Sequence, residues 1–361
     1  MKVLKFGGTS VGSAQRMQHV ADIISGNEKK IVVLSAMSGT TNSLLQAADY
    51  LRVGNLTGAA DVVNLLERKY EKEIAELYLT SSMQESVWEK LKTYFSEIRS
   101  LLLESYSNQI EKRIVSYGEL ISTLMFTSYL QEQNVDAVLM PALSFMRLNA
   151  DGEPDMALTQ QLLHEQLGQY GEHRIVITQG FICLNAEGEI DNLKRGGSDY
   201  SASIIGALSD AEEIQIWTDI DGMHNNDPRF VDGTQPVPQL SFEEAAELAY
   251  FGAKILHPTC ILPAKMKSIP VRLLNTLDPT APGTLISNDY KKGKIEAVAA
   301  KDGIAVVRIQ SDRMLLAYGF LSRVFSVFEQ HKTAIDLIAT SEVAVSMSID
   351  NLSRIGDIVE D

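Results

Sequence analysis

An α/β architecture, with a mainly parallel sheet between helical layers followed by a partial α+β module, is predicted for this 361-residue chain by three observations. The N-terminal apolar pair Val3-Leu4 runs directly into a glycine turn and then a helical pattern. Apolar runs of strand length, Ile31 to Leu34, Ala137 to Met140, Ile175 to Thr178 and Ile214 to Thr218, alternate with longer amphipathic stretches. That alternation is the signature of core strands joined by crossover helices. After residue 295 the order changes to strand, helix, strand, strand.

Each element has a local cause. Met17, Val20, Ala21 and Ile24 recur at helical spacing between Ser13, a capping residue, and Gly26. From Leu56 to Gln133 the chain is rich in Leu, Glu and Lys with little turn signal, which predicts several successive helices. Small residues from Ala202 to Leu208 predict a closely packed helix. Ser241-Phe242-Glu243-Glu244 is a capping box and starts a helix expected to run to about Leu256, ahead of Pro258. The turn Pro279 to Gly283 and the polar run Asn288 to Lys294 mark the expected boundary between a unit of residues 1–290 and a module of residues 295–361. In that module Ile304 to Ile309, Ala334 to Ala339 and Val343 to Ile349 read as strands. Gly319 to Gln330 reads as an amphipathic helix, and Asn351 to Asp361 as the start of another.

Lysine and arginine total 32 against 47 aspartates and glutamates, a formal charge of -15. Such a chain repels nucleic acid and anionic membrane, so neither is an expected partner, and any anion must be held by a focused group of cations and N–H donors. The two cysteines, Cys183 and Cys260, are too few for a disulfide framework and lack metal-ligand spacing; no protein-bound metal is expected. The start shows no basic-then-apolar signal pattern, and no apolar run approaches the ~20 residues of a membrane span. A cytoplasmic location is the expectation.

Lys5-Phe6-Gly7-Gly8-Thr9-Ser10 carries the strongest chemical signal. Glycines let backbone N–H groups approach an anion, the following helix presents its positive end, and Lys5 adds a mobile charge. Neither P-loop nor dinucleotide glycine spacing occurs. Ser35 to Asn42 gathers hydroxyls at the carboxyl end of a strand, suited to a polar ligand or to capping a helix. Gly118-Glu119 places a carboxylate where it can complement a helix or hold a substrate ammonium. Arg195-Gly196-Gly197-Ser198-Asp199 joins a second glycine pair to both charge signs: a guanidinium can fork onto a carboxylate while Asp199 orients a lysine. Trp217-Thr218-Asp219, through His224 to Asp227-Pro228-Arg229, is a long polar loop able to wrap a nucleotide or to serve as ordinary turns. Lys254 stands on the capped helix, as a ligand contact or a solvated charge.

In order and number these segments match one family: the chain resembles aspartokinases, which phosphorylate the side-chain carboxylate of aspartate. The carriers are Lys5 to Ser10, Ser35 to Asn42, Gly118-Glu119, Thr178-Gln179-Gly180-Phe181, Arg195 to Ser201, Trp217-Thr218-Asp219, Asp227 to Arg229 and Phe251 to Pro258. The resemblance covers essentially the whole chain. It implies an amino-acid kinase fold with an eight-stranded, mostly parallel sheet, aspartate in the N-terminal lobe and ATP with Mg2+ in the C-terminal lobe. By the same resemblance Lys5 contacts the transferring phosphoryl group and Asp199 organises the catalytic lysines. Arg195 would pair with the α-carboxylate of L-aspartate and Glu119 with its ammonium, with Ser35, Thr41 and Phe181 completing the pocket. Gly7, Gly8, Ser10, Thr218, Asp219, His224, Arg229 and Lys254 fall on nucleotide-binding positions; His224 stands where many relatives have tyrosine.

The tail resembles the first ACT regulatory module of these enzymes, nearest the lysine-inhibited, monofunctional type, in Met314, Gly319, Phe320, Leu321, Asp336, Ser341 and Val343. That implies lysine as effector and a homodimer. Relatives usually carry a second such module, and the sequence stops before one. Two rival readings are a kinase for acetylglutamate, glutamate or a nucleotide monophosphate on the same fold, and a non-catalytic amino-acid sensor. The charges of Glu119 and Arg195 suit the two ends of a free amino acid, and Lys5 with Asp199 suits catalysis.

Overall fold

The structure, a computed structural model, describes residues 1–193, 196–227, 230–251, 256–289, 297–311 and 318–360, with only the backbone of Phe251. It divides into two compact units, Met1–Val298 and Ala299–Asp361. The first begins β1 (Lys2–Phe6), α1 (Ala14–Ile24), β2 (Lys30–Leu34), α2 (Thr40–Arg52). Three long helices follow, α3 (Leu56–Leu77), α4 (Ser81–Leu101) and α5 (Asn108–Glu132), then β3 (Ala137–Leu139), α6 (Met156–Tyr170), β4 (Ile175–Gln179) and a hairpin of β5 (Ile182–Leu184) and β6 (Ile190–Asn192). The rest is α7 (Gly197–Leu208), β7 (Glu213–Thr218), β8 (Gln239–Leu240), α8 (Phe242–Phe251), α9 (Leu262–Met266), β9 (Val271–Asn275) and β10 (Thr284–Ile286).

Eight strands form one sheet in the order β3-β4-β2-β1-β7-β9-β10-β8, parallel except where β10 meets β9. The central strands are buried on both faces and alternate between two cores. Leu4, Phe6, Val32, Leu34, Ile175 and Ile177 pack under the helical layer from α1 to α5. Val3, Ile31, Val33, Val176, Ile214 and Ile216 face α7 and its neighbours. Because side chains alternate along a strand, Lys5 points to the same face as Val3, toward α7. The chain leaves β1 to build β2, β4 and β3 on one side, and later places β7, β9, β10 and β8 on the other. The crevice beyond the carboxyl end of β1 is therefore the switch point at which open α/β sheets take ligands.

Local signals account for the element ends. Ser13 caps α1, accepting from the Arg16 N–H at 3.3 Å. The capping box forms reciprocally: Glu244 N–H donates to Ser241 Oγ (3.1 Å) and Ser241 N–H to a Glu244 carboxylate oxygen (2.9 Å). The helix is described to Phe251 and residues 252–255 lie outside the described residues; Leu256, its expected end, is buried and already outside the helix. The turn of residues 279–283 is internal, because β10 follows it and pairs with β9; a proline-glycine turn that closes a hairpin reads in sequence like one that closes a domain.

The second unit contains β11 (Ala305–Gln310), α10 (Phe320–Gln330), β12 (Ile338–Thr340), β13 (Ala344–Ile349) and α11 (Ile355–Glu360). Its antiparallel sheet has the order β11-β13-β12, and Phe328, Val345, Met347, Ile349 and Ile358 make its core. The strand expected over 334–339 pairs only from Ile338. Before it, Leu337 N–H donates to the Ser348 hydroxyl at 3.0 Å, which displaces the regular ladder.

Replacing Ser241 by alanine removes one half of the capping box and should cost roughly 1 kcal/mol of stability. Urea unfolding checks this, with the m-value expected to stay unchanged.

Candidate active site

Pairing brings Gln179, Leu34, Phe6 and Trp217 into one row at the ends of β4, β2, β1 and β7. The ladder continues one step: Ser35 N–H donates to Phe6 O (3.2 Å), Gly180 N–H to Leu34 O (2.9 Å) and Gly7 N–H to Trp217 O (3.3 Å). The loops after β1, β2, β4 and β7 thus leave the sheet at the same edge. Phe6 stacks on Trp217 with centroids 5.7 Å apart and anchors the first glycine turn from below.

Lys5 is largely buried, and its ammonium lies 2.7 Å from Asp199 Oδ1, in the first turn of α7. The pair fixes where the ammonium stands at the end of β1. A Cβ on Gly7 would stand 3.4 Å from Lys5 Nζ, and one on Gly8 would press to 2.8 Å of Ala36 O. The glycines therefore keep a cradle open beside the charge, as anion sites require. Ser10, Thr9 and Val11 complete the turn, with Ser10 N–H closing on Gly7 O at 2.9 Å.

Next to the cradle lies a cavity of about 330 Å³ lined by Gly8, Ser35, Ala36, Met37, Ser38, Gly39, Thr41, Asn42, Glu119, Phe181, Gly197 and Ser198. Two helix N-termini open onto it, α2 behind left-handed Gly39 and α7 behind left-handed Gly196. Both present positive dipole ends and favour carboxylates or phosphate. Glu119 supplies the opposite sign. It is 3% exposed; one oxygen accepts from Ala36 N–H at 3.2 Å, and Oε2 has no hydrogen-bond partner among the described residues. Burial pushes its carboxyl up to about 8, partly offset by the Ala36 N–H. An orphan buried carboxyl in a polar cavity suits an ammonium group, which would return its charge. Phe181 holds a left-handed backbone (φ 66°), secured by its N–H to Ser201 Oγ at 2.8 Å, and lies against Gly197.

On the β7 side, Ser10 Oγ and Thr276 Oγ1 are 2.7 Å apart and buried, so that hydroxyl ties the glycine turn to β9's end. Its backbone, not its side chain, faces the cradle. Thr218 donates to Asp219 at 3.2 Å, and His224 is held between Asp221 (2.6 Å) and Thr234 (2.8 Å). Arg195, Arg229 and Lys254 lie outside the described residues, as does Met314. In the second unit Gly319 caps α10 with φ 78°, ahead of Phe320 and Leu321. Ser341 N–H closes the turn before β13 on Ala344 O (2.8 Å), and Val343 O accepts from Ser311 N–H (2.9 Å). Asp336 N–H donates to Ser348 O (2.9 Å), toward the other end of that hairpin.

Sequence reasoning missed Ser198, whose Oγ accepts from Ser35 Oγ at 2.9 Å. Its position inside the glycine motif was the available signal. It also missed Tyr70, whose hydroxyl meets Thr40 Oγ1 at 2.8 Å; on α3 it looks like any core aromatic.

Gly196 combines φ 70° with a virtual Cβ only 1.8 Å from Cys260 Sγ. Gly196→Ala should cost ~1–2 kcal/mol for the left-handed backbone plus the overlap. Adding Cys260→Ala should recover the overlap part, so that urea unfolding finds the double variant more stable than the sum of the two single losses.

The model of the amino acid kinase family matches residues 1–275. Among curated proteins, chloroplastic aspartokinase 3 of Arabidopsis thaliana is 37% identical over 96% of this chain and 64% of its own length. Lysine-sensitive aspartokinase 3 of Escherichia coli is 36% identical over 96% of this chain and 78% of its length. The chain thus spans a little under two thirds of the Arabidopsis relative and more of the bacterial one. A solved structure of E. coli aspartokinase III in complex with aspartate and ADP superposes with a TM-score of 0.84 at 35% identity, over 97% of this chain and 79% of that one. The form with lysine and aspartate gives 0.80 at 33% identity. With the sheet order, the glycine cradle and the cavity in place, these matches put the chain in the amino acid kinase family, among the aspartokinases.

Proposed function

We propose that the chain is an aspartate kinase, moving the γ-phosphate of ATP to the side-chain carboxylate of L-aspartate to give 4-phospho-L-aspartate, the first step toward lysine, threonine and methionine. The observation that carries this reading is Glu119, a buried carboxyl with an open oxygen, in a cavity otherwise fronted by helix N-termini and adjoining the Lys5–Asp199 pair. An α-amino dicarboxylic acid needs one negative and two positive partners in that arrangement. The names of the relatives point the same way.

A carboxylate is already nucleophilic at neutral pH, so the reaction needs no general base. Its obstacle is repulsion between aspartate and the phosphate oxygens, and the remedy is placement plus countercharge. Ser35, Thr41 and the α2 N-terminus hold the amino acid, with Glu119 on its ammonium and Phe181 as a wall. Lys5, steered by Asp199, meets the oxygens of the transferring group, and the N–H groups of Gly7 and Gly8 line its path. Thr218, Asp219 and His224 form the nucleotide side, to which the resemblance adds Arg229 and Lys254, and it gives Arg195 the α-carboxylate. Among the described residues no three His, Cys, Asp or Glu side chains gather as a metal would require. Mg2+ would ride on the phosphates of ATP, where it neutralises their charge.

Lysine is proposed as effector from the name of the E. coli relative and its lysine complex. Asp336 and the turn of Ser341 and Val343 stand about five strand residues apart, roughly 16 Å. One lysine could meet both only across two copies of the module, which favours a homodimer. Among the described residues no helix is long and apolar enough to cross a membrane.

Hydroxylamine trapping with ATP should give hydroxamate from aspartate and not from acetylglutamate or glutamate; the reverse order contradicts the assignment. Lys5→Ala should lower kcat on the order of 10²-fold or more, and Arg195→Ala should raise the KM for aspartate with a smaller effect on kcat. Because ammonium binding needs Glu119 ionised and its carboxyl sits up at about 8, the KM for aspartate should rise as pH falls, roughly tenfold per unit below pH 7, and level off above about 8. Glu119→Gln should give a high KM without that slope.

A further inference from the structure

Helix α3 touches the site through three side chains on adjacent turns. Lys69 Nζ donates to Ser38 O at 2.7 Å, the Tyr70 hydroxyl meets Thr40 Oγ1 at 2.8 Å, and Glu73 Oε2 accepts from Ala14 N–H at 2.7 Å. The first two grip the loop after β2 that lines the cavity. The third holds the first residue of α1, directly behind the glycine cradle. Ser38 N–H closes the circuit on Gly8 O at 3.0 Å. Two catalytic loops from neighbouring strands are thus tied to one rigid helix as well as to each other.

The central contact of the three is buried. Tyr70 is fully buried and packs against Phe95 at 6.0 Å, so its ring has one place to stand, and burial keeps its phenol protonated. Thr40, at the start of α2, is equally buried. Desolvation lowers the pKa of Lys69, and Glu73, four residues on, offsets part of that loss. A core position on a helix needs only an apolar side chain; the buried Tyr70 phenol aimed at Thr40, flanked by the half-buried Lys69 and Glu73 reaching loop backbone, does more than fill space.

We infer that Tyr70, Lys69 and Glu73 are positioning residues: α3 is the template that sets the spacing between the amino-acid loop and the phosphate cradle. Tyr70 is its central element because it fixes the α2 N-terminus that faces the ligand. This rests on the kinase reading for its kinetic consequence, and on geometry alone for its structural one.

Tyr70→Phe keeps the ring and removes the hydroxyl, leaving Thr40 Oγ1 buried opposite a hydrogen. The expected result is a rise in the KM for aspartate of roughly tenfold with the KM for ATP within about twofold. Thr40→Val should act alike, and the double variant should be no worse than either single one. Lys69→Met should add amide exchange at residues 37–42, and hydrogen exchange by mass spectrometry should show that segment opening faster in Tyr70→Phe too. A purely structural role would lower the melting temperature and leave both the aspartate KM and the exchange of 37–42 unchanged, and that result overturns the inference. If the wild-type chain forms no aspartyl hydroxamate, the kinase reading fails while the exchange measurement still decides the clamp.

Discussion

A lysine on a central strand is an awkward residue to bury, and most of the site follows from how this chain solves it. Lys5 stands on β1, a central strand with partners on both sides, and alternation turns it toward α7. Without Asp199 at 2.7 Å its charge would face a core of Val3, Ile214 and Ile216. The pair is affordable only at the sheet edge, where the side chains are 11% and 15% exposed and further anionic groups can approach. A buried ion pair of this kind contributes little net stability; its use is a cation held in position, with donors to spare.

Around that pair the backbone supplies the rest of the positive field. The glycine turn after β1 and the N-terminus of α2 converge because β1 and β2 end in one row, and the N-terminus of α7, which follows the separate β5–β6 hairpin, joins them through Asp199 on Lys5 and Ser198 on Ser35. In a chain with formal charge -15, local geometry has to do what net charge cannot. Glu119 is the exception that gives the cavity its polarity, and its burial is what raises its pKa. The glycines are constrained from the opposite direction: Gly180 approaches Ser198 so closely that a Cβ would fall 2.4 Å from the Ser198 Cβ. Close packing of the second and third loops thus depends on residues without side chains.

Much of this was legible in the residue order. The strand–glycine–helix opening, the Ser13 cap, the capping box at Ser241 and the helical run from 56 to 133 all rest on local chemistry, and local chemistry is what a sequence displays. The hairpin of β5 and β6 and the strands β8 and β10 had weaker signals, since strands of two or three residues carry too little alternation to be read. Within the site, the charged and glycine-bearing loops announced themselves. Tyr70 and Ser198 did not, because their significance lies in contacts across 30 and 163 residues. The burial of Glu119 was equally hidden: on paper it stood ahead of an apolar helix, as a charge complementing its positive end, whereas it lies inside α5, where Gly118 lets Ala36 come so close that an added Cβ would fall 2.8 Å from the Ala36 Cβ.

The most direct test of this account is a double-mutant cycle on kcat between Lys5 and Asp199. If Asp199 acts by holding the Lys5 ammonium in place, Lys5→Ala and Asp199→Ala should each impair turnover, and the double variant should be little worse than Lys5→Ala alone. Losses that multiply, or an Asp199→Ala variant with undiminished kcat, would contradict it.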